Sequence, residues 1–168
     1  RKLLINSEFF DNCKYWISYT KGGPYHKWYG NNEYVINWSD HGEGLVRNKR
    51  NFSNYYLKPC FTWTMIGSTK FSVRYCGKGF LWDVSGSIGF PQTAHWKYLI
   101  GIMNSKITDK ILNILNPTLN TNIENIKAIP IAEDYDRMNK IEEDVEINIS
   151  ISKQDWDAHE TSWDFENN

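Results

Sequence analysis

The apolar pattern changes period once along this chain, and that change restricts the fold more than any motif does. Up to about residue 90, short apolar or aromatic runs alternate with clusters of Gly, Asn, Asp and Pro, the rhythm of short strands joined by turns. Candidate strands fall at 34–38, 61–66, 71–75 and 80–84. Gly67-Ser68 and Cys76-Gly77-Lys78-Gly79 stand between such runs at hairpin distance. From His95 onwards Leu99, Met103, Ile107, Ile111 and Leu115 recur at three-to-four-residue steps, which predicts one core-facing amphipathic helix stopped by Pro117. A short strand is expected at 126–131. Met138, Ile141 and Val145 mark the apolar stripe of a second, acidic helix. Ser152-Lys153-Gln154-Asp155 reads as the capped start of a third, aromatic-rich segment ending at Phe165. The expected class is α+β: a β-rich lobe at 1–94, a helix and strand at 95–132, and an acidic helical appendage at 133–168. A meander or twisted sheet fits better than a doubly wound nucleotide fold.

A chain of 168 residues can bury one real core but not two large independent domains. It begins at Arg1 with no basic, apolar leader behind it, as expected of a piece excised from a longer protein. No apolar run reaches the length that spans a bilayer, so the expectation is a soluble, cytoplasmic chain without a membrane partner. Cys13, Cys60 and Cys76 are odd in number and widely spaced, which argues against a disulfide framework or a zinc site. The net charge of −1 hides an asymmetry: residues 1–100 carry 13 Lys/Arg against 6 Asp/Glu, and residues 101–168 carry 6 against 14. A basic half and an acidic half point to different partners.

The stretch from Lys21 to Asn31 packs cations, rings and glycines into eleven residues. Gly22-Gly23-Pro24 allows positive φ and then fixes a turn, while Lys21 and Lys27 can reach phosphates. Tyr25, Trp28 and Tyr29 offer flat faces with polar tips, suited to stacking on bases or sealing a backbone groove. For any one ring, an aromatic mini-core beneath the loop is the competing expectation. As a cluster they read as a contact loop. Arg47-Asn48-Lys49-Arg50 is the densest positive run; taken alone it could equally be a solvated basic turn, and the surplus of cations in its half tips it towards DNA.

No catalytic constellation assembles. His26, His41, His95 and His159 show no metal-ligand spacing. The acidic-x-Lys triplet that holds Mg²⁺ in many restriction-type nucleases occurs nowhere, and there is no nucleophile elbow, P-loop or Gly-x-Gly-x-x-Gly turn. Asn116-Pro117-Thr118-Leu119 is superficially like the Asn-Pro-Pro-Tyr motif of adenine methyltransferases. It lacks the second proline and the stacking ring, and reads as a helix stop.

Several blocks together carry a family resemblance. Lys21-Gly22-Gly23, Lys27-Trp28-Tyr29-Gly30-Asn31 and Glu33-Tyr34-Val35-Ile36-Asn37-Trp38 resemble the target-recognition region of PglX-type adenine methyltransferases of BREX phage defence. Agreement continues through Phe71-Ser72-Val73-Arg74-Tyr75 with Gly79-Phe80 and Asp83, Leu99 with Asn104-Ser105-Lys106, and Leu115-Asn116-Pro117-Thr118-Leu119-Asn120. It ends with Asp155-Trp156-Asp157 and Glu160-Thr161-Ser162-Trp163-Asp164-Phe165. The blocks cover nearly the whole chain. The 99–106 and 126–131 segments are also similar to elements of restriction-modification specificity domains. His26 departs from the family, which has an arginine there, and the family's S-adenosylmethionine-binding and Asn-Pro-Pro-Tyr motifs lie outside this chain.

The resemblance implies that residues 1–132 choose a short asymmetric site on double-stranded DNA. A separate methyltransferase domain, using S-adenosylmethionine, would then methylate the N6 atom of a flipped adenine; this chain itself would carry no catalytic residue, metal or cofactor. Phosphate contacts set register and base-edge contacts read sequence. Lys21, Lys27, Lys49 and Lys70 are therefore expected to clamp phosphates. Arg47, Asn48, Arg50 and Arg74 are expected to read bases, since Arg suits guanine and Asn suits adenine; Tyr25, His26, Trp28 and Tyr29 complete the expected DNA-binding set. Trp156 and Trp163, set among carboxylates that phosphate repels, are expected to pack on the rest of the enzyme; the acidic half could instead meet another BREX component. Two rivals are a structural or protein-interaction module of the same system and a carbohydrate-binding β-domain using the eight Trp and ten Tyr.

Overall fold

The computed structural model describes residues 16–42, 50–67, 70–132 and 134–165. Among the described residues two small sheets and four helices make an α+β fold. The strands are β1 (Trp16–Thr20), β2 (Val35–Asn37), β3 (Cys60–Thr64), β4 (Val73–Cys76), β5 (Phe80–Trp82) and β6 (Gly86–Gly89), with 3-10 turns at Ser39–Gly42 and Arg50–Tyr55. One sheet has the order β2-β1-β5, with β1 antiparallel to β2 and parallel to β5; the other has the order β4-β3-β6 and is antiparallel throughout. The run around Gly67 does join an antiparallel pair, β3 and β4. The Gly77–Gly79 turn does not make a hairpin: β4 and β5 belong to different sheets, and β5 crosses back to β1. A simple meander is thus replaced by two sheets that exchange strands.

At one locus the sheets approach closely enough to demand glycine. Gly22 has φ +82, and a Cβ on Gly86 would lie 2.6 Å from the Gly22 nitrogen. Only paired glycines let β6 pass against the loop after β1.

The helices are α1 (Trp96–Met103), α2 (Lys106–Leu115), α3 (Ile123–Lys127) and α4 (Tyr135–Asp157). The single periodicity expected from His95 to Leu115 is broken at Asn104-Ser105. Ser105 restarts the helix as an N-cap, its hydroxyl accepting from the Thr108 amide at 3.2 Å, and Asn104 turns its carboxamide onto β4. Apolar spacing persists across such a break because both helices face the same core. The strand expected at 126–131 is instead the end of α3 and the turn after it, because Asn122 and Asn125 form a reciprocal capping box that nucleates a helix. The two helical segments expected after residue 133 are one continuous helix, α4; Ser152 lies inside it, and Asp134 caps its start.

One face of the β4-β3-β6 sheet packs on the helices. Phe61, Trp63 and Val73 meet Ile100, Met103, Leu112, Ile129, Val145 and Ile149 in one cluster, so α4 shares the core of the strands. Each fully buried side chain of this size contributes about 1.5–3 kcal/mol. Trp63 also donates its Nε1–H to the Thr121 carbonyl at 3.0 Å, tying the segment after α2 to the core. The opposite face is polar, with Thr62 and Arg74 buried there, and in the other sheet Ser18 and Thr20 of β1 are buried too. Cys60 and Cys76 sit directly opposite each other as free, buried thiols, and contact with Cys76 together with burial pushes the Cys60 thiol up.

Candidate nucleic-acid interface

The loop from Lys21 to Asn31 is held by its backbone on β4. Trp28 donates its amide to the Val73 carbonyl at 2.9 Å and accepts from the Tyr75 amide at 2.7 Å. Asn31 closes the loop, its Nδ2 donating to the Pro24 carbonyl at 2.9 Å. Gly22 and Gly23 both have positive φ, as the Gly-Gly-Pro corner predicts.

The loop has two sides. On the inner side Trp28 packs against the hydrophobic core. His26 meets the edge of Trp156 with ring centroids 5.5 Å apart, and burial, with Arg74 pressing the same way, lowers its pKa, so it is a packing ring here. Tyr29 is largely buried beneath the Lys153 ammonium, 5.2 Å from its ring centroid. For these three residues the mini-core arrangement is the one found. Trp156 and Trp163, expected to pack on the rest of the enzyme, meet this lobe: Trp156 touches the His26 ring of the loop, and Trp163 donates at 3.2 Å to the carbonyl of Glu33 just after it. Burial opposes the charge of Lys153, but hydrogen bonds to Asp157 and Asp164 outweigh it and hold that lysine above its ordinary range.

On the outer side Tyr25 is 41% exposed. Lys27 reaches across to α1 and donates from Nζ to the Asn104 carbonyl at 2.7 Å. Burial lowers its pKa, and Lys70 and Lys106 press in the same direction while Asp109 opposes them. Lys70 and Lys106, from two other stretches of sequence, thus lie near enough to Lys27 to act on its charge, as does Asp109. Asp109 is occupied, accepting from the Phe71 amide at 3.3 Å, and its charge raises the Tyr25 pKa after burial has done so. A polar cavity of about 240 Å³ opens beside them, lined by Tyr25, Lys70, Asn113, Asn116 and Thr118 among others.

Lys21, Tyr25, Lys27 and Lys70 therefore stand where a polyanion could reach them, although Lys21 also lies 5.4 Å over the Tyr34 ring. Arg74, expected among the base readers, is 1% exposed and interior. Its Nη2 donates to Thr64 Oγ1 at 3.3 Å, while Nε and Nη1 have no protein partner. It faces inwards because it alternates with Val73 on a strand whose other face builds the core. Arg47, Asn48 and Lys49 lie outside the described residues; Arg50 opens a 3-10 turn in its backbone. Lys106 and Asn113 were missed from sequence. The only signal for them was helical register: Lys106 and Asn113 sit seven residues apart on α2.

No protein-family model matches the chain. Two relatives that it matches are both adenine-specific methyltransferases. It is 37% identical over 158 residues to the adenine-specific methyltransferase BrxX of Escherichia coli O9:H4 (strain HS). It is 34% identical over 176 aligned positions to the adenine-specific methyltransferase PglX of Lacticaseibacillus casei (strain Zhang). These matches take in 91% and 98% of this chain but only 13% and 14% of those proteins. Among the described residues no helix is long and apolar enough to cross a membrane.

Proposed function

We propose that this chain is the DNA sequence-recognition segment of an N6-adenine DNA methyltransferase of the BREX type, and that it chooses the site a separate domain methylates. The observation that carries the reading is the convergence of Lys27, Lys70 and Lys106 beside the exposed Tyr25, on a segment homologous to part of adenine-specific methyltransferases. Cations brought together from distant positions in the sequence suit phosphate clamping, with an aromatic edge to seal the groove.

S-adenosylmethionine would be held by the rest of the enzyme. The one described strand followed directly by a helix is β6, and its connection to α1, Phe90-Pro91-Gln92-Thr93-Ala94-His95, contains no glycine to let a backbone cradle a cofactor. What this chain supplies is register and sequence selection. Double-stranded DNA and the methyltransferase domain are its partners. A protein-contact role is favoured at one other place: Ile147 and Ile151 stand exposed one turn apart on the outward face of acidic α4, where a further component of the defence system could dock.

The test is a graft. The segment is placed on the methyltransferase core of a relative, and methylated adenines are mapped genome-wide by single-molecule sequencing. The expected result is that the methylated motif follows the graft. An active chimera that keeps the core donor's motif would show that specificity lies elsewhere.

A further inference from the structure

The segment after α2 was expected to do no more than stop a helix. It does stop one, and it then builds a second structure. Ile66 and Asn120 face each other as an antiparallel bridge, flanked by the Gly67 amide donating to the Leu119 carbonyl at 3.1 Å and the Thr121 amide donating to the Met65 carbonyl at 2.7 Å. Around this single bridge, residues 65–67 and 119–121 run antiparallel just past the end of β3, as a minimal two-stranded ribbon. In a pair of this kind the two side chains project from the same face, close together.

The ribbon is stiffly mounted. The Trp63 indole donates to the Thr121 carbonyl at its base, and Thr118 donates from both its amide and its hydroxyl to Asn116 Oδ1, at 3.3 and 2.7 Å. Asn116 Nδ2 donates to the Asn120 carbonyl and to Asn125 Oδ1, and Asn122 and Asn125 cap each other. Of the four asparagines between 116 and 125, three therefore spend their carboxamides on the loop itself. Asn120 is exposed and among the described residues its carboxamide has no hydrogen-bond partner; beside it Ile66 is 60% exposed.

We infer that this ribbon enters the major groove and reads an A·T base pair, with Asn120 on the adenine and Ile66 on the thymine methyl. A two-stranded ribbon fits the width of the B-form major groove. A carboxamide matches the adenine N6 donor and N7 acceptor together, and an apolar branch matches the C5 methyl that an A·T pair presents alongside them. Lys70 lies on the rim of the same cavity as Thr118 and Leu119, so phosphate contact and base contact fall within one patch. The inference rests on the DNA-recognition reading above and deepens it by naming which residues read which pair.

The experiment uses the grafted enzyme and a duplex carrying its mapped motif. Fluorescence anisotropy competition is run with three changes at the A·T pair: 7-deazaadenine for adenine, uracil for thymine, and G·C for A·T. The expected result is that Asn120→Ala loses discrimination against 7-deazaadenine and G·C by about tenfold or more, the scale of one bidentate contact. Ile66→Ala should become indifferent to uracil while keeping the adenine preference. Both residues are exposed, and Asn120→Ser, which keeps a polar group but cannot bond bidentately, provides a second variant. If the graft carries its motif and every variant discriminates as the unmutated chimera does, the ribbon inference falls and the recognition reading stands. If the graft never carries a motif, the recognition reading itself falls.

Discussion

Asn104 joins the break between α1 and α2 to the sheet, and its replacement by alanine tests that joint. Its Oδ1 accepts from the Val73 amide and its Nδ2 donates to the Val73 carbonyl, both at 2.9 Å, in a site where the side chain is buried. The carboxamide thus acts as one rung of an extra strand on the edge of β4. In Asn104→Ala the Val73 amide loses its acceptor, and an orphaned buried donor costs about 1–3 kcal/mol. The Val73 carbonyl fares better, because the Trp28 amide still donates to it at 2.9 Å; losing the second bond there costs about 0.5–1.5 kcal/mol. The two together give a loss of about 1.5–4.5 kcal/mol. Urea unfolding followed by tryptophan fluorescence would measure it, with an unchanged m value if only stability has moved. Since Lys27 holds the backbone carbonyl of Asn104 rather than its side chain, the lysine cluster should stay in place. A loss below about 0.5 kcal/mol would refute the argument, since it would mean that Val73 is satisfied without the asparagine.

Three further outcomes are expected. Gly86→Ala puts a methyl 2.6 Å from the Gly22 nitrogen, backbone against backbone, and should destabilise the chain by about 1–3 kcal/mol in thermal unfolding while serine at the open Gly67 is tolerated. Tyr19 is pushed up to about 12 by burial and by Asp83, which accepts its hydroxyl at 3.3 Å. Its neutral form is the one folding favours, so its contribution is complete below the ordinary tyrosine range near pH 10 and is lost as pH rises towards 12; Tyr19→Phe should flatten that part of the alkaline unfolding profile. Lys70→Ala with Lys106→Ala should lower the slope of log affinity against log salt by about 2 in the DNA complex, and an unchanged slope would remove both lysines from the interface.

The sequence was legible where local chemistry decided the outcome. Pro117 did end a helix, the Gly-Gly-Pro corner did take positive φ, and the strand cores around Phe61, Val73 and Phe80 fell where alternation put them. It was misleading where two solutions share one apolar spacing. Leu99 to Ile111 keep helical period across the Asn104-Ser105 break, because both helices lean on the same core. Ile126 and Ile129 suggested a strand, but a capping box built from Asn122 and Asn125 decided for helix. Topology was out of reach: nothing local says that β5 will join β1 in parallel rather than fold back on β4. The fate of Arg74 follows from that, since its inward face exists only once the two sheets are stacked. Lys106 and Asn120 stand in the blocks that carry the resemblance, but nothing local picks them out, because the neighbours that give them a place are distant in sequence.

The charge asymmetry acquires a different meaning from the one composition suggests. Basic and acidic halves looked like surfaces for two separate partners. In the fold they meet at one loop, whose outer side carries Tyr25 and Lys27 and whose inner side carries His26, Trp28 and Tyr29. The acidic end of α4 is drawn to the inner side, where Lys153 binds Asp157 and Asp164 over the Tyr29 ring and Trp156 meets His26. The carboxylates of Asp157, at the end of α4, and of Asp164, beyond it, are thereby partly neutralised, and a helix that phosphate would repel becomes the support for the loop that phosphate would meet. Fixing that support reduces the entropy the loop must lose on binding, which is where preorganisation raises affinity without adding a contact. The acidic helix and the cationic face are then two parts of a single device, and changes at the Trp156–His26 contact should act on DNA affinity through the loop, with no change in the number of phosphates neutralised.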